Sequence, residues 1–337
     1  MPEQPLVHPL PDPCLGSQRT IRVGAHVGQQ NMSMTKMRST WRQLDAHLDW
    51  ISAWDHLYEA PNAGGTVDHF EALTVLGALA ADTERARIGC LVFYVGYRSP
   101  GVLAKAATTL DHLSNGRFEL GLGAGWHEPE AKAFGYDFPS IGVRLDMLDE
   151  ATTIIRGLLT QSRTTFTGKH FRVEDASCLP APIQDRLPIW IGGVGEKKTL
   201  RIVARQADGW NTAYIDPAEF ARLSGVLDSW CVSEQRDPNS IRRGVNLLFN
   251  LSTTRSEADA TFEAVKAQWG PSFARVAGGA LLGTPDEAVA RLLEYVDAGA
   301  DDINIALRAP WNEAALTLYL NEVVPAFKDA LSKRSAG

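Results

Sequence analysis

Three short stretches of this sequence have residue types and spacing suited to chemistry, and the first is a glycine-rich turn. Residues 191–210 read IGGVGEKKTLRIVARQADGW, in which an apolar strand runs into glycines and a helix starts at about Glu196. Free amides at a helix start attract an anion, and glycines let that anion approach the backbone closely. These properties predict a phosphate site formed by Gly192, Gly193, Val194, Gly195, Glu196 and Lys197. The alternative is a tight strand-to-helix turn that needs small residues, and the spacing of a Walker loop is missing.

The second stretch, GLGAGW at 121–126, combines small residues with an aromatic one. A dinucleotide fingerprint would need its last glycine where Trp126 stands, so a Rossmann site is excluded. Small residues such as Ala124 and Gly125 would let a flat ring lie against the end of a strand. A glycine-rich turn without a ligand is the alternative.

The third stretch is Asp55-His56, directly after an apolar segment. Histidine titrates near neutrality and can carry a proton during a reaction, so His56 is a candidate acid or base. A purely structural histidine is the alternative. Five further residues at predicted strand ends are candidates for a substrate pocket: Gln29, Tyr97, His127, Arg308 and Trp311. For the aromatic members, packing inside the fold is the alternative to forming a pocket wall.

The elements that must position these residues alternate regularly along the chain. Apolar segments typical of strands occupy residues 21–27, 50–54, 86–94, 118–122, 187–191, 208–213, 244–251 and 302–307. Helical segments separate them, which predicts the α/β class and a (β/α)8 TIM barrel with insertions after strands four and seven. A doubly wound sheet would need a mid-chain linker and a dinucleotide fingerprint, and the sequence has neither. A barrel places ligands at the carboxyl ends of its strands, where the candidate residues lie.

Composition narrows the class of protein further. The 337 residues are 45% apolar and 22% charged, as in ordinary globular proteins, and we expect one domain over residues 21–337. A net charge of −7 without a basic stripe argues against nucleic acid or an anionic membrane as a partner. The four cysteines lie far apart, which excludes a zinc ribbon, and no metal site is predicted.

The amino-terminal residues indicate where the chain resides. Residues 1–20 are rich in proline and have no apolar core, so they are expected to form a flexible tail and not a signal peptide. The longest apolar runs are too short to span a bilayer. These features predict a cytoplasmic protein.

Several strings taken together resemble one family, the bacterial-luciferase-like oxidoreductases. The resemblance favours the branch that uses the deazaflavin coenzyme F420 over the branch that uses FMN, and it extends from about Ile21 to Lys328. The strings are WDH (54–56), YRSPGVLAKAATTLDHLSNGRFELGLGAGWHEPEAKAFGYDFP (97–139), RLDMLDEATTII (144–155), TFTGKHF (165–171) and IGGVGEKKTLRIVARQADGWN (191–211).

The resemblance implies a flavin-like ring held across strands three and four, with its phosphate in the strand-five turn. The residues implied at the ring are Asp55, Cys90, Leu91, Val92, Ala124, Gly125 and Trp126. Strand three is expected to bulge, with a cis peptide bond between Leu91 and Val92. His56 matches the family's active-site histidine.

The implied activity is hydride transfer between F420 and a small-to-medium organic substrate. The alternatives are an FMN-dependent two-component monooxygenase that uses O2 and a flavin-binding barrel without turnover. The resemblance also implies a homodimer and, as a further partner, a separate flavin or F420 reductase.

Two departures from the sugar-phosphate dehydrogenases of this family bear on the substrate. Those relatives carry a glutamate where this chain has Trp126, and a tryptophan where it has Ala60. Glucose-phosphate oxidation is therefore not expected. The aromatic side chains expected at the pocket suggest a substrate that is larger and less charged than a sugar phosphate.

Overall fold

A closed ring of parallel strands organises the computed structural model, which describes residues 20–59 and 64–336. The strands are β1 (Arg22–Val27), β2 (Trp50–Ala53), β3 (Arg87–Tyr94), β4 (Phe118–Gly123), β5 (Thr164–Thr167), β6 (Arg172–Ala176), β7 (Ile189–Gly192), β8 (Gly209–Ala213), β9 (Arg242–Leu251), β10 (Ala280–Gly283) and β11 (Asp302–Leu307). The ring has the order β9-β11-β1-β2-β3-β4-β7-β8, and β8 pairs with β9 to close it. The predicted (β/α)8 barrel is confirmed.

Helices surround the ring and bury their apolar faces against its outer surface. They are α1 (Met34–Asp45), α2 (Ala72–Asp82), α3 (Pro100–Leu113), α4 (Glu128–Ala133), α5 (Ile141–Thr160), α6 (Thr199–Gln206), α7 (Pro217–Ser233), α8 (Arg255–Trp269), α9 (Phe273–Val276), α10 (Pro285–Asp297), α11 (Glu313–Leu318) and α12 (Val324–Ala336). None of those within the described ranges is long and apolar enough to cross a bilayer.

The two predicted insertions are present. Between β4 and β7 the chain forms α4, α5 and an antiparallel hairpin of β5 and β6. Between β9 and β11 it forms α8, α9, β10 and α10, and β10 pairs in parallel with the last residues of β9. Both insertions extend the barrel at segments that follow the carboxyl end of a strand.

Two departures from the predicted helices have a local cause. α6 begins at Thr199 and not at about Glu196, because residues 196–198 form a turn whose last residue, Lys198, is the N-cap. The sequence of residues 313–331 predicts one continuous closing helix, but the structure has a π-helical turn at Tyr319–Val323 between α11 and α12. Pro325 follows this turn and lacks an amide hydrogen, so the regular α-helical bond cannot form there.

Two tryptophans fill the barrel interior beside glycines. A Cβ at Gly89 or Gly209 would collide with the indole of Trp50 or Trp190, respectively. Because a packed barrel interior needs large side chains opposite small ones, these glycines are structural.

A buried network of charges lies next to these indoles. Glu119 is 2% exposed and bonds to Arg22 Nη1 at 2.8 Å, to Trp190 Nε1 at 2.5 Å and to Arg87. Arg22 also pairs with Asp302. Burial alone would raise the pKa of the Glu119 carboxyl, but the charges of Arg22 and Arg87 lower that pKa to about 2. Glu119 is therefore an anion at neutral pH, satisfied on both oxygens.

Some predictions concern residues outside the described ranges. These are the tail up to residue 19, Cys14 and the departure at Ala60. The described cysteines, Cys90, Cys178 and Cys231, are buried free thiols.

Candidate active site

The candidate residues gather at one end of the barrel. His56 follows β2, Trp126 follows β4, and Arg308 follows β11. The glycine-rich turn at 192–197 begins at the last residue of β7. Because all eight ring strands run parallel, their carboxyl ends share this mouth.

Strand β3 bulges at the mouth. Its register with β4 shifts between Cys90 and Phe93, and the Leu91–Val92 peptide bond is cis, as the resemblance implied. The Val92 side chain fills the space beside Gly123 and Gly192, where a Cβ would lie 2.4 and 3.0 Å from it, whereas the carbonyl of Cys90 excludes a Cβ at Gly121. Much of the glycine pattern around GLGAGW thus accommodates Val92 directly, and it shapes the floor of the mouth.

The carboxylate of Glu130 forms a hydrogen bond with His56. His56 Nδ1 lies 3.0 Å from Glu130 Oε2, and Tyr97 donates its hydroxyl to Glu130 Oε1 at 2.7 Å. Glu130 is 1% exposed. Burial alone would raise the pKa of Glu130, but the hydrogen bonds that it accepts from His56 and Tyr97 lower the pKa below its usual value.

An ionised Glu130 fixes the tautomer of His56. A carboxylate only accepts hydrogen bonds, so Nδ1 of His56 carries a proton and donates it to Glu130. Nε2 has no hydrogen-bond partner among the described residues. The rings of Trp126 and His127 lie edge-on to the imidazole, with centroids 5.2 and 6.0 Å away. Nε2 is therefore the nitrogen that can exchange a proton.

Glu130 was not singled out from the sequence. It lies in the first turn of α4 and donates its backbone amide to Nδ1 of His127, the N-cap, at 3.1 Å. A carboxylate three residues after a cap is common at helix starts, so its type alone gives no indication of a partner. Only the segment HEPE directly after a predicted strand could have drawn attention to it.

Asp55 ties β2 to β3 and keeps one oxygen free of protein partners. Its Oδ2 accepts from the Tyr94 amide at 3.0 Å and from Arg98 at 2.7 Å. Its Oδ1 is buried with no partner among the described residues. Burial raises the pKa of Asp55 despite the charge of Arg98. Oδ1 therefore keeps its capacity to accept a hydrogen bond. Arg98, which anchors Asp55, was not found from the sequence.

Other predicted residues make mainly internal contacts. The Cys90 thiol is fully buried in the core, so only its backbone can face the mouth. The side chain of Gln29 donates to the Trp54 carbonyl at 2.5 Å and accepts from the Trp54 amide at 3.3 Å. Gln29 therefore helps to position Trp54. Trp311 is partly buried, and its Nε1 has no partner among the described residues.

The segment after β4 is held in place by an arginine of α5. Arg144 donates to the carbonyls of Ala124, at 2.8 Å, and Gly125. Gly125 has φ +70°, and a Cβ there would lie 2.6 Å from the Tyr94 ring. Trp126, which follows, is 59% exposed at the rim of the mouth.

The glycine-rich turn after β7 presents free amides. Indole nitrogens of Trp210 and Trp230 donate to the carbonyls of Gly193 and Glu196, each at 2.7 Å. Among the described residues, the amides of positions 194–198 have no acceptor. Gly193 has φ +130°, a conformation that favours glycine. Carbonyls held by side chains and amides left free make this turn suited to an anion.

Sequence comparison relates this chain to several known proteins. It is 30% identical over 302 residues to the F420-dependent glucose-6-phosphate dehydrogenase of Microbacterium testaceum, covering 82% of this chain and 88% of that one. It is 36% identical over 158 residues to an uncharacterized protein of Mycobacterium tuberculosis. That alignment covers 47% of this chain and 55% of the relative, so it spans about half of that relative's length.

Solved structures show the same fold at low sequence identity. An F420-dependent secondary alcohol dehydrogenase matches with a TM-score of 0.79 and 18% identity, over 91% of this chain and 99% of that one. A long-chain alkane monooxygenase matches with a TM-score of 0.77 and 16% identity, over 93% and 92%. Residues 49–302 of this chain match the luciferase-like monooxygenase family. The chain belongs to this family, as its motifs and barrel indicated.

Proposed function

We propose that this protein is an F420-dependent oxidoreductase that transfers a hydride between the coenzyme and an organic substrate. The observation that carries the proposal is His56 at the barrel mouth, held by the buried carboxylate of Glu130 with Nε2 free to exchange a proton. Relatives whose names state F420 dependence support the choice of coenzyme.

The residues at the mouth fit a flat ring that carries a phosphate. The free amides at 194–198 suit the phosphate. The unpartnered Oδ1 of Asp55 suits a donor on the ring. The bulge at Val92 provides an apolar floor between these two points. Each of these features belongs to a different strand end, so one ligand could engage all of them.

The chemistry divides between the coenzyme and the chain. When bound at this mouth, a deazaflavin would provide the hydride chemistry. His56 then accepts the proton of a substrate hydroxyl at Nε2, or donates a proton there in the reverse direction. Glu130 stabilises the imidazolium that forms, because the Nδ1–H bond becomes charged on both sides. Tyr97 keeps Glu130 in place, and burial together with this bond raises the pKa of its hydroxyl, so it stays a donor.

The second candidate is an FMN-dependent monooxygenase. It is supported by the family match and by 30% identity over 245 residues to the pyrimidine monooxygenase of Stutzerimonas stutzeri, covering 69% of this chain and 61% of that one. The same free amides would suit the phosphate of FMN. A barrel without turnover is less well supported, since binding alone would not need the His56–Glu130 pair.

Replacement of the turn glycines tests the phosphate site. A Cβ at Gly195 would lie 2.6 Å from Thr199 Oγ1, and φ +130° at Gly193 strains any L side chain. Gly193→Val and Gly195→Val should each weaken F420 binding about tenfold to a hundredfold, because misplaced amides lose bonds to a charged group. Fluorescence titration gives Kd, and thermal melting shows whether the barrel stays folded.

Gly225→Ala is the matched control for these variants. Gly225 lies in α7, and a Cβ there would meet no atom within 4 Å. Its coenzyme affinity should equal that of the wild type. Wild-type affinity in both turn variants would remove the phosphate from this turn.

The expected partners and location stay predictions. A homodimer and a separate reductase are implied by the resemblance, and α3 exposes Val102 and Leu113, at 55% and 53%, as apolar surface that a second copy could cover. A cytoplasmic location is likewise inferred from the sequence. Sedimentation velocity on the purified protein tests the dimer.

A further inference from the structure

An arginine at the barrel mouth lies among three aromatic rings. Arg308 follows β11, and its guanidinium carbon is 5.3, 5.2 and 5.3 Å from the ring centroids of Trp54, Tyr214 and Trp269. These rings come from the ends of β2 and β8 and from α8. We call Arg308 with these three rings the arginine cage. Aromatic faces attract a cation, so the cage holds the guanidinium in position.

The cage supplies no hydrogen-bond acceptor for this guanidinium. Nε and Nη1 of Arg308 are buried and have no partner among the described residues. Two other largely buried arginines have carboxylate partners: Arg22 pairs with Glu119 and Asp302, and Arg98 pairs with Asp55. An unpartnered buried donor of a charged group is costly, which makes Arg308 exceptional here. The residue as a whole is only partly buried, so a ligand at the mouth can reach it.

The cage adjoins the proton-transfer histidine. Trp54 forms one wall of the cage, and its ring also lies edge-on to His56 with centroids 6.2 Å apart. His26 contacts the same indole at 5.3 Å, and burial, followed by the charge of Arg308, lowers the pKa of His26 to about 3. His26 is therefore neutral and leaves Arg308 as the cation on this side of the mouth. The glycine-rich turn lies elsewhere, after β7, three strands from β11 around the ring.

We propose that Arg308 binds an anionic group of the organic substrate, so that the substrate is an organic anion with an apolar body. A guanidinium binds carboxylate, sulfonate or phosphate oxygens through paired N–H groups, and low polarity around it strengthens these bonds. The aromatic walls would contact the apolar part. The inference deepens the proposed function, on which it rests for placing the reacting carbon near His56. It also revises the expectation of a weakly charged substrate.

Binding of simple aromatic anions tests the proposal without the coenzyme. Isothermal titration calorimetry would compare benzoate, benzenesulfonate and phenyl phosphate with neutral benzamide on the wild type, Arg308→Met and Arg308→Lys. At least one anion should bind the wild type more tightly than benzamide, and Arg308→Met should weaken it about tenfold to a hundredfold. Arg308→Lys should retain part of the affinity, since lysine keeps the positive charge but lacks the paired N–H groups of a guanidinium.

Arg291→Met provides the matched control. Arg291 also lies over an aromatic ring, Tyr295, at 5.4 Å, but it pairs with Glu294. Its anion binding should equal that of the wild type. Failure of all three anions to bind the wild type, or equal binding to Arg308→Met, would overturn the proposal and leave the cage as packing.

The anion that Arg308 binds could also belong to the coenzyme. The affinity of Arg308→Met for F420 distinguishes an anion on the coenzyme from an anion on the substrate. F420 should bind Arg308→Met with wild-type Kd if the anion belongs to the substrate. Loss of F420 affinity with unchanged binding of the aromatic anions would overturn the proposal by assigning Arg308 to the coenzyme. A wild type that binds the anions at Arg308 but does not bind F420 would support the cage and refute the proposed function instead.

Discussion

Replacement of His56 by alanine is expected to slow hydride transfer by about 10²–10⁴-fold, the usual range for loss of a general acid or base. The reason is that His56 has a ring nitrogen without a partner among the described residues, while its other ring nitrogen is hydrogen-bonded to the buried carboxylate of Glu130. Coenzyme affinity should change much less, since the glycine-rich turn and the β3 bulge remain. The pH profile of the chemical step should also lose one limb.

Single-turnover absorbance of F420 measures this step, and thermal melting of the same variant controls for folding. His112→Ala is a suitable comparison, because His112 lies on α3, away from the carboxyl ends of the strands, and its ring hydrogen-bonds to the carbonyl of Ala181. A structural role for His56 predicts a lower melting temperature with an unaltered pH profile. A folded His56→Ala protein with wild-type turnover would remove this histidine from the mechanism.

Replacement of Glu119 by glutamine should destabilise the barrel by about 3–5 kcal/mol, as expected when one partner of a buried ion pair is lost. The variant would deprive the buried charge of Arg22 and the partly exposed charge of Arg87 of the Glu119 carboxylate. Urea unfolding at neutral pH, followed by circular dichroism, measures the change. Glu263→Gln is the control: its pair with Lys266 is exposed, so it should cost less than about 1 kcal/mol.

The pH dependence of this difference follows from the pKa of Glu119. Its folded pKa, about 2, is below its ordinary value of 4.5, so its ionisation stabilises the fold fully above pH 4.5. That contribution is lost as pH falls toward 2. The wild type and Glu119→Gln should therefore converge in stability in acid. Equal stabilities at neutral pH would contradict the account of the buried network.

The barrel could be predicted from the sequence, because most of its strands and helices are indicated by the pattern of apolar residues within their own segments. Apolar strand segments that alternate with helical segments predicted the eight ring strands. The pair Ser99-Pro100 is likewise typical of a helix start, and α3 begins at Pro100. α4 and β10 were not predicted, since six and four residues are too few for a periodicity to show. The shift of α6 depends on a turn that Gly193 and Gly195 allow but do not specify.

The site was less predictable, because its key contacts join distant parts of the chain. His56 and Glu130 are 74 residues apart, and the arginine cage draws on four separate segments. Sequence spacing predicts which residues lie at strand ends, but it does not predict which of them touch. The role of Val92 in requiring glycines on β4 and β7 is of the same kind, since it arises from packing between strands.

A comparative titration tests most directly whether the barrel mouth binds F420 for hydride transfer. Purified protein would be titrated with F420 and with FMN, following coenzyme fluorescence and absorbance, and oxygen uptake would be recorded with reduced FMN. We expect F420 to bind at lower concentrations than FMN, with no oxygen uptake. Tighter binding of FMN, together with oxygen consumption, would contradict the account and identify a monooxygenase.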